Sequence, residues 1–205
     1  MTRNLRYSTM KIGIVSDTHG FYQAWLRAYD LYLSKTNLIL HAGDILYCSP
    51  GFNPLTEDFN PKKLADHINS INVPIIFCQG DNDSDVDQKK LNFPILSHFA
   101  HLYIEGISIL MHHGEMPKGN FVYKNRLTPD EMFLYSKKMN ADIFIMGRTH
   151  NPLFEKIDGL VHINPGSPVA TVHDNKDPSV AILDTDLRQV DFFVCYRSKQ
   201  SIKFT

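Results

Sequence analysis

Five short runs in this 205-residue chain place Asp, Asn and His where an apolar, strand-like stretch stops. They are Ser16-Asp17-Thr18-His19-Gly20, His41-Ala42-Gly43-Asp44, Gly80-Asp81-Asn82-Asp83, His112-His113-Gly114 and Gly147-Arg148-Thr149-His150. Carboxylate oxygen and imidazole nitrogen are the donors that hard and borderline divalent cations take. The carboxyl ends of strands are where α/β folds assemble their sites. One such run would carry little weight; five in the same local setting point to one metal centre gathered from distant parts of the chain. Arg148 is the odd member, a permanent cation where a further ligand would be expected.

Taken singly, each run has a plainer reading. Asp17 and His19 could grip one cation if their turn folds both inward, or Asp17 could cap the following helix and leave His19 exposed. Asp44 has the same ambiguity, although Gly43 beside it permits close approach of backbone to a ligand. The segment from Asp81 to Asp87 alternates acids as a calcium loop does. It fails that pattern, with Val86 where the turn glycine belongs and Asn92 where the bidentate glutamate belongs. Of the adjacent His112 and His113, one at most should face a given metal, leaving the other to pack or to sit behind it. Asn164-Pro165-Gly166-Ser167 reads as a tight structural turn near the same edge.

The elements that must position these residues follow from periodicity and breakers. Lys11 to Val15, Leu38 to Leu40 and Pro74 to Cys78 read as buried strands. Between them lie two predicted helices. Phe21 to Ser34 has apolar residues at Trp25, Leu26, Tyr29 and Leu33, and Pro61 to Ile71 has Pro61 in a permitted first-turn position. Ile45 to Asn60, with Pro50, Gly51 and Pro54, reads as a long irregular loop and a candidate substrate wall. His98 to Glu105 and Ile107 to Met111 pair across a Glu105-Gly106 turn. Thr128-Pro129-Asp130-Glu131 is a helix start, with Thr128 as cap, for a helix running to about Met139. Asp142 to Met146, Leu153 to Ile157, Leu160 to Ile163, Ser179 to Leu183 and Val190 to Tyr196 read as strands. A βαβαβ first half and a strand-rich second half fit two packed sheets flanked by helices, in one α/β domain.

Composition narrows the classes. With 43% hydrophobic residues, the chain can bury one good core. A formal net charge of −1 gives no global field towards nucleic acid or an anionic membrane. Lys89-Lys90, Lys137-Lys138 and Arg197 are too scattered for a binding stripe, so stable nucleic-acid binding is not expected. The three cysteines, Cys48, Cys78 and Cys195, have no metal-type pairing and favour a reduced, cytoplasmic protein. Residues 1–9 are polar and basic without the apolar stretch of a signal peptide, and read as an N-terminal extension before Met10. No run is apolar for long enough to span a bilayer.

The motifs Asp-x-His-Gly, Gly-Asp, Gly-x-x-Asp, His-Gly, Gly-x-Thr-His and Asn-Pro-Gly-Ser, in that order, resemble those of the calcineurin-like metallophosphoesterases. Within that family the chain is similar to the YfcE-type bacterial phosphodiesterases. The similarity runs from Met10 over nearly the whole chain, and includes Asp83-Ser84-Asp85-Val86-Asp87-Gln88 and Phe93-Pro94-Ile95. It implies a four-layer αββα sandwich, a single domain over residues 10–205, with a two-metal site at the strand ends. By this resemblance Asp17, His19, Asp44 and His150 form the first metal site, and Asp44 bridges to the second. The second site would use Asp81, His113 and position 148, where the family carries asparagine, histidine and histidine. Asn82 stands at the following position, which supplies an acid or polar group in relatives.

Two of the three second-site positions therefore depart from the family. Arg148 has no lone pair to give a metal, while Asp81 for asparagine adds the compensating negative charge. Either Asp44, Asp81 and His113 still offer three ligands, or the guanidinium pairs bidentately with Asp81 and fills the volume of the second ion. One or two divalent ions per chain are thus expected, with manganese favoured by the resemblance. The implied reaction is hydrolysis of a small-molecule phosphodiester or nucleotide-like substrate. A metal-bound hydroxide would attack in line, with Arg148 and Asn82 acting on the phosphate. The alternative is a binding scaffold that keeps the fold and has weakened chemistry. The family's habit of forming dimers and tetramers leaves homo-oligomers open.

Overall fold

Strand β1 (Lys11–Val15) sends Ile12 and Ile14 to one buried face and Val15 to the other. Strand β2 (Leu38–His41) is likewise buried throughout, and β3 (Ile75–Phe77) nearly so. Strands covered on both sides read as unbroken apolar runs, which is why these three are legible in the sequence; they pair in parallel with one another. The computed structural model describes residues 10–48, 56–95, 97–114, 129–170, 177–195 and 201–204. Its remaining strands are β4 (Phe99–Ile104), β5 (Ile107–His112), β6 (Ile143–Met146), β7 (Pro152–Ile157), β8 (Leu160–Pro165), β9 (Ser179–Asp184), β10 (Gln189–Val194) and β11 (Ser201–Phe204).

These strands form two sheets. The first has the order β11-β10-β9-β1-β2-β3 and the second β4-β5-β6-β8-β7. Both are mixed: β1, β2 and β3 run parallel in one, as do β5, β6 and β8 in the other. The sheets share a core of Ile12, Ile14 and Leu40 from the first and Ile109, Met111 and Ile145 from the second. Helices α1 (Tyr22–Leu31) and α2 (Pro61–Ser70) cover the outer face of the first sheet through Trp25, Ala28, Leu64 and Ile68. Two further helices are the short α3 (Asp85–Gln88) and α4 (Pro129–Lys138). Met132 of α4 packs on Phe144, Met146 and Leu160 across the second sheet. The result is the expected four-layer αββα sandwich in a single domain.

Local chemistry accounts for the element ends. Asn60 caps α2 by accepting the Lys63 N–H at 2.9 Å, and Pro61 takes the first position, where its missing N–H costs nothing. Glu105 and Gly106 both have positive φ, 50° and 74°, as a tight two-residue hairpin turn needs. Asp130 and Glu131 begin α4 while Lys137 and Lys138 end it, matching charge to the helix dipole. The proposed cap at Thr128, the extension 1–9, the loop positions Pro50, Gly51 and Pro54, and Tyr196 lie outside the described residues.

The structure differs from expectation in four places. The first helix stops at Leu31, and Leu33–Lys35 form a 3-10 turn that buries Leu33. Helix α3 was not anticipated; Ser84 nucleates it, its N–H and hydroxyl both donating to Asp87 Oδ2 at 2.8 Å. Strand β11 was also missed, and pairs antiparallel with β10. Asn164 and Pro165 belong to β8, so the turn read at Asn164-Pro165-Gly166-Ser167 starts later, at Gly166 with φ 75°.

Candidate metal centre

Each sequence run leaves the carboxyl end of a strand at one edge of the sandwich. Asp17 and His19 follow β1, Asp44 follows β2, Asp81 and Asn82 follow β3, His113 follows β5, and Arg148 and His150 follow β6. The first two turns are zipped together beyond the sheet. Asp17 N–H donates to Gly43 O at 3.0 Å, His19 N–H to Asp44 O at 3.0 Å, and Gly20 N–H to Ile45 O at 2.9 Å. Within the second sheet, the turns after β5 and β6 are joined in the same way, Gly147 N–H donating to His113 O at 3.1 Å.

The turns are bent hard. Asp17, His19, Asp44, Arg148 and His150 have φ of 57°, 45°, 56°, 66° and 57°. Those are five of the nine non-glycine residues with positive φ among the described residues; Glu105, Asp158 and Arg188 lie in strand turns and Asn140 follows α4. Left-handed backbone costs an L-residue roughly 1–2 kcal/mol, so its concentration here marks a site whose side chains are aimed by their surroundings.

The eight residues singled out in the sequence all converge. His150 Nε2 lies 3.2 Å from Asp17 Oδ1 and 3.2 Å from His19 Nε2. His19 Nε2 is 3.6 Å from Asp17 Oδ1 and 3.8 Å from Asp44 Oδ2. His113 Nε2 sits 3.2 Å from Asp44 Oδ2, 3.1 Å from Asp81 Oδ1 and 3.7 Å from Asp17 Oδ1. Asn82 holds Asp44 twice, its N–H on Oδ1 at 2.9 Å and its Nδ2 on Oδ2 at 2.6 Å. Arg148 Nη1 contacts Asp81 Oδ2 at 2.9 Å, and its own N–H donates to Asp17 Oδ2 at 2.9 Å. Because Asp81 gives Oδ1 to His113 and Oδ2 to Arg148, the contact is not the bidentate pairing weighed from sequence. The Arg148 side chain, 39% exposed, sits at the rim and does not fill the interior. His112 is not part of the cluster; it is buried on the outer face, its ring 4.4 Å from that of Phe144.

The donors suit a divalent cation. Asp17 Oδ1 and His113 Nε2 are buried and, among the described residues, make no well-formed hydrogen bond; their neighbours at 3.1–3.7 Å are the other groups able to ligate a metal. Buried polar atoms are rarely left so, and divalent cations bound among these donors would satisfy both. Among the described residues, two donor sets lie within 4.8 Å internally: Asp17, His19 and His150, and Asp17, Asp44 and His113. His19 Nδ1 is 3.0 Å from Tyr47 O and His113 Nδ1 is 2.7 Å from Ala42 O. A carbonyl can only accept, so Nδ1 of each ring carries a proton and Nε2 turns inward, the arrangement that orients metal-binding histidines.

Protons compete for the same positions. Burial opposes ionisation of Asp17, but the histidines His150 and His19 outweigh it and hold that carboxyl well below its usual range. Burial likewise opposes a charge on His19, yet Asp17 pushes it up to about 11. Asp44 and Asp81 raise His113 well above its ordinary value against the cost of burial. Asp81 is held low, first by His113 and only secondarily by Arg148. His41, by contrast, is buried without such partners at contact distance and falls to about 3.

Behind the cluster lies a layer whose roles sequence reasoning did not assign. His41 Nε2 lies 3.0 Å from Thr18 Oγ1, and that hydroxyl donates to Ile45 O at 2.8 Å, so the ring must donate to it. Asp83 accepts backbone N–H groups from Asp44, Ile45 and Gly80. Burial pushes Asp83 up to about 6 despite these donors. Asn164 Nδ2 donates to Gly147 O at 2.7 Å, and Ser167 Oγ to Asp17 O at 2.8 Å, which is the structural work read for that motif. The available signal was position: Asp83 and His41 stand in the same strand-end runs as the inward-facing residues.

Residues 10–188 match the calcineurin-like phosphoesterase superfamily domain. The phosphodiesterase YfcE of Escherichia coli K12 is 29% identical over 182 residues, covering 88% of this chain and 91% of that protein. A probable metallophosphoesterase of Methanothermobacter thermautotrophicus is 31% identical over 187 residues, covering 89% and 90%. The solved structure of YfcE, a phosphoesterase from E. coli, aligns with a TM-score of 0.73 at 26% identity, over 96% of this chain and 100% of that one.

Proposed function

The chain belongs to the calcineurin-like phosphoesterase superfamily, and we propose that its strand-end cluster hydrolyses small-molecule or nucleotide-like phosphodiesters with the help of divalent ions. The observation that carries this reading is the buried meeting of carboxylate and imidazole donors around Asp17 Oδ1 and His113 Nε2, neither of which has a well-formed hydrogen bond among the described residues. Asp17, His19, Asp44 and His150 would hold one ion, and Asp44, Asp81 and His113 a second. When bound, such ions supply an activated water and polarise the phosphoryl group. Mixed nitrogen and oxygen donors accept several metals, and family likeness favours manganese.

The chain's own residues do the rest. Arg148, at the rim and tethered through Asp81, offers guanidinium N–H groups to the non-bridging phosphate oxygens and to the charge that builds on them. Asn82 keeps both oxygens of Asp44 in fixed positions and presents its amide beside the phosphate. The three cysteines without metal-type pairing favour the cytoplasm as the place where the chain acts; no helix among the described residues is long and apolar enough to cross a membrane. YfcE is a phosphodiesterase by name, which supports a diester over a monoester. Hydrolysis of an aryl phosphodiester is the test, after metal stripping and re-addition of Mn2+. Folded protein without metal-dependent turnover refutes the proposal.

A second reading, a scaffold with weakened chemistry, is favoured by one observation: a fixed cation, Arg148, touches a proposed metal ligand. Metal analysis separates the two. A chain purified without metal that also takes up none on titration is the scaffold.

A further inference from the structure

Asp83 is buried, and its carboxylate is engaged by backbone. Oδ2 accepts the N–H of Asp44 and the N–H of Gly80, each at 2.8 Å, while Oδ1 accepts the N–H of Ile45 at 2.8 Å. Those donors lie on two separate turns, one after β2 and one after β3. Asp44 has φ 56°, a left-handed conformation uncommon away from glycine, and its surroundings help to hold it. Two consecutive N–H groups, on Asp44 and Ile45, anchored to one carboxylate do hold it. On the facing side, a Cβ at Gly80 would run into the Asp44 carboxylate, so the two turns touch backbone to side chain. Asn82 then grips both Asp44 oxygens. Asp83 thus closes a ring that runs from Asp44 through Asp83 and Gly80 to Asn82 and back.

We propose that Asp83 is a positioning residue of the centre: by clamping the two turns it fixes where the Asp44 carboxylate points, and so how tightly divalent ions are held. The inference rests on the metal-dependent reading above and names a residue that controls it without touching metal or substrate. Asp83→Asn keeps the side-chain shape but replaces one acceptor oxygen with an amino group, which would face a backbone N–H and cannot accept it. The clamp then opens on at least one side.

The experiment measures Mn2+ binding to metal-stripped wild type, Asp83→Asn and the exposed control Asp85→Asn. Calorimetry and the Mn2+ electron paramagnetic resonance spectrum are read beside the melting temperature, kcat and KM. Binding by Asp83→Asn should weaken about ten- to hundredfold with an altered spectrum, kcat should fall, and KM should stay within about twofold. Asp85→Asn should match wild type. A purely structural role would lower the melting temperature and leave affinity and spectrum unchanged; that result overturns the clamp alone. Absence of binding by wild type overturns the metal reading and the clamp with it. Should Asp83→Asn not fold, amide exchange in wild type decides. Metal should slow exchange at Asp44, Ile45 and Gly80 by about tenfold or more, since linkage is reciprocal. Unchanged exchange at all three overturns the proposal.

Discussion

Asp17 is the residue on which three imidazoles lean, with His150, His19 and His113 at 3.2, 3.6 and 3.7 Å from its Oδ1. Asp17→Ala or His150→Ala should therefore abolish metal-dependent hydrolysis and release metal, while circular dichroism still reports a folded chain. Turnover at the wild-type rate in both would put the site elsewhere. The same contacts set the pH dependence of loading. His19, pushed up to about 11, and His113, raised well above its ordinary value, both carry a proton near neutrality without metal. Ligation needs neutral imidazole, so metal binding displaces up to about two protons, and affinity should rise about tenfold per pH unit for each. Calorimetry in buffers of different ionisation enthalpy counts them; no proton release would remove both histidines from the ligand set. Arg148 and Asp81 are the third case. Arg148→His removes a cation and adds a nitrogen donor, so it should strengthen second-ion binding; Asp81→Asn alone should weaken it by leaving the guanidinium uncompensated. The double-mutant cycle should show coupling well above the ~0.5 kcal/mol of independent sites. Additive effects would mean that the two do not share a site.

At the level of elements, the close approach of the turns after β1 and β6 is the constraint. A Cβ at Gly147 would press on Ser16 Oγ and come within 3.0 Å of Ala42 O and Asp17 Oδ2. Ser16 is fully buried and cannot swing away, so Gly147→Ala should cost about 1–3 kcal/mol of stability and displace Asp17. A denaturant midpoint equal to wild type would show that the turns have slack. This constraint also explains what could be read beforehand. Strands β2 and β6 announce themselves by unbroken burial, β1 by burial from Ile12 onward, and α2 by its Asn60 cap and Pro61. The chemistry was legible because metal donors belong to few residue types, and each stood where such a strand ended. Asp83 and His41 stand in the same runs, but their supporting roles carry no mark in the sequence, since their partners are backbone groups and a hydroxyl that every sequence could supply. Helix α3 rests on one reciprocal cap over four residues, too short for periodicity, and β11 exists as a strand only through β10. Arg148 at the rim was not deducible either, because where a guanidinium settles depends on how far apart the turns after β3 and β6 lie.

For the whole molecule, the centre lies across the join between the sheets. Asp17, Asp44 and Asp81 come from β1, β2 and β3 of one sheet; His113 and His150 come from β5 and β6 of the other. The apolar core between the sheets, Ile12, Ile14, Leu40, Ile109, Met111 and Ile145 among its members, needs no metal to form. Two consequences follow from these positions. Metal-free protein should be folded and cooperative, because burial of that core is the main driving force. Metal should nevertheless raise the melting temperature of the entire domain, because an ion held by both sheets is lost only when they part. At an ion concentration a hundred times the dissociation constant, linkage adds about 2.7 kcal/mol, which in a domain of this size corresponds to roughly 5–11 °C. Calorimetric melts with a chelator and with saturating Mn2+ measure the difference. His150→Ala, which removes a donor from the second sheet, should shrink it. If saturating Mn2+ leaves the melting temperature unchanged, the ion does not bridge the sheets; if the chelated protein is unfolded, the apolar core is not self-sufficient.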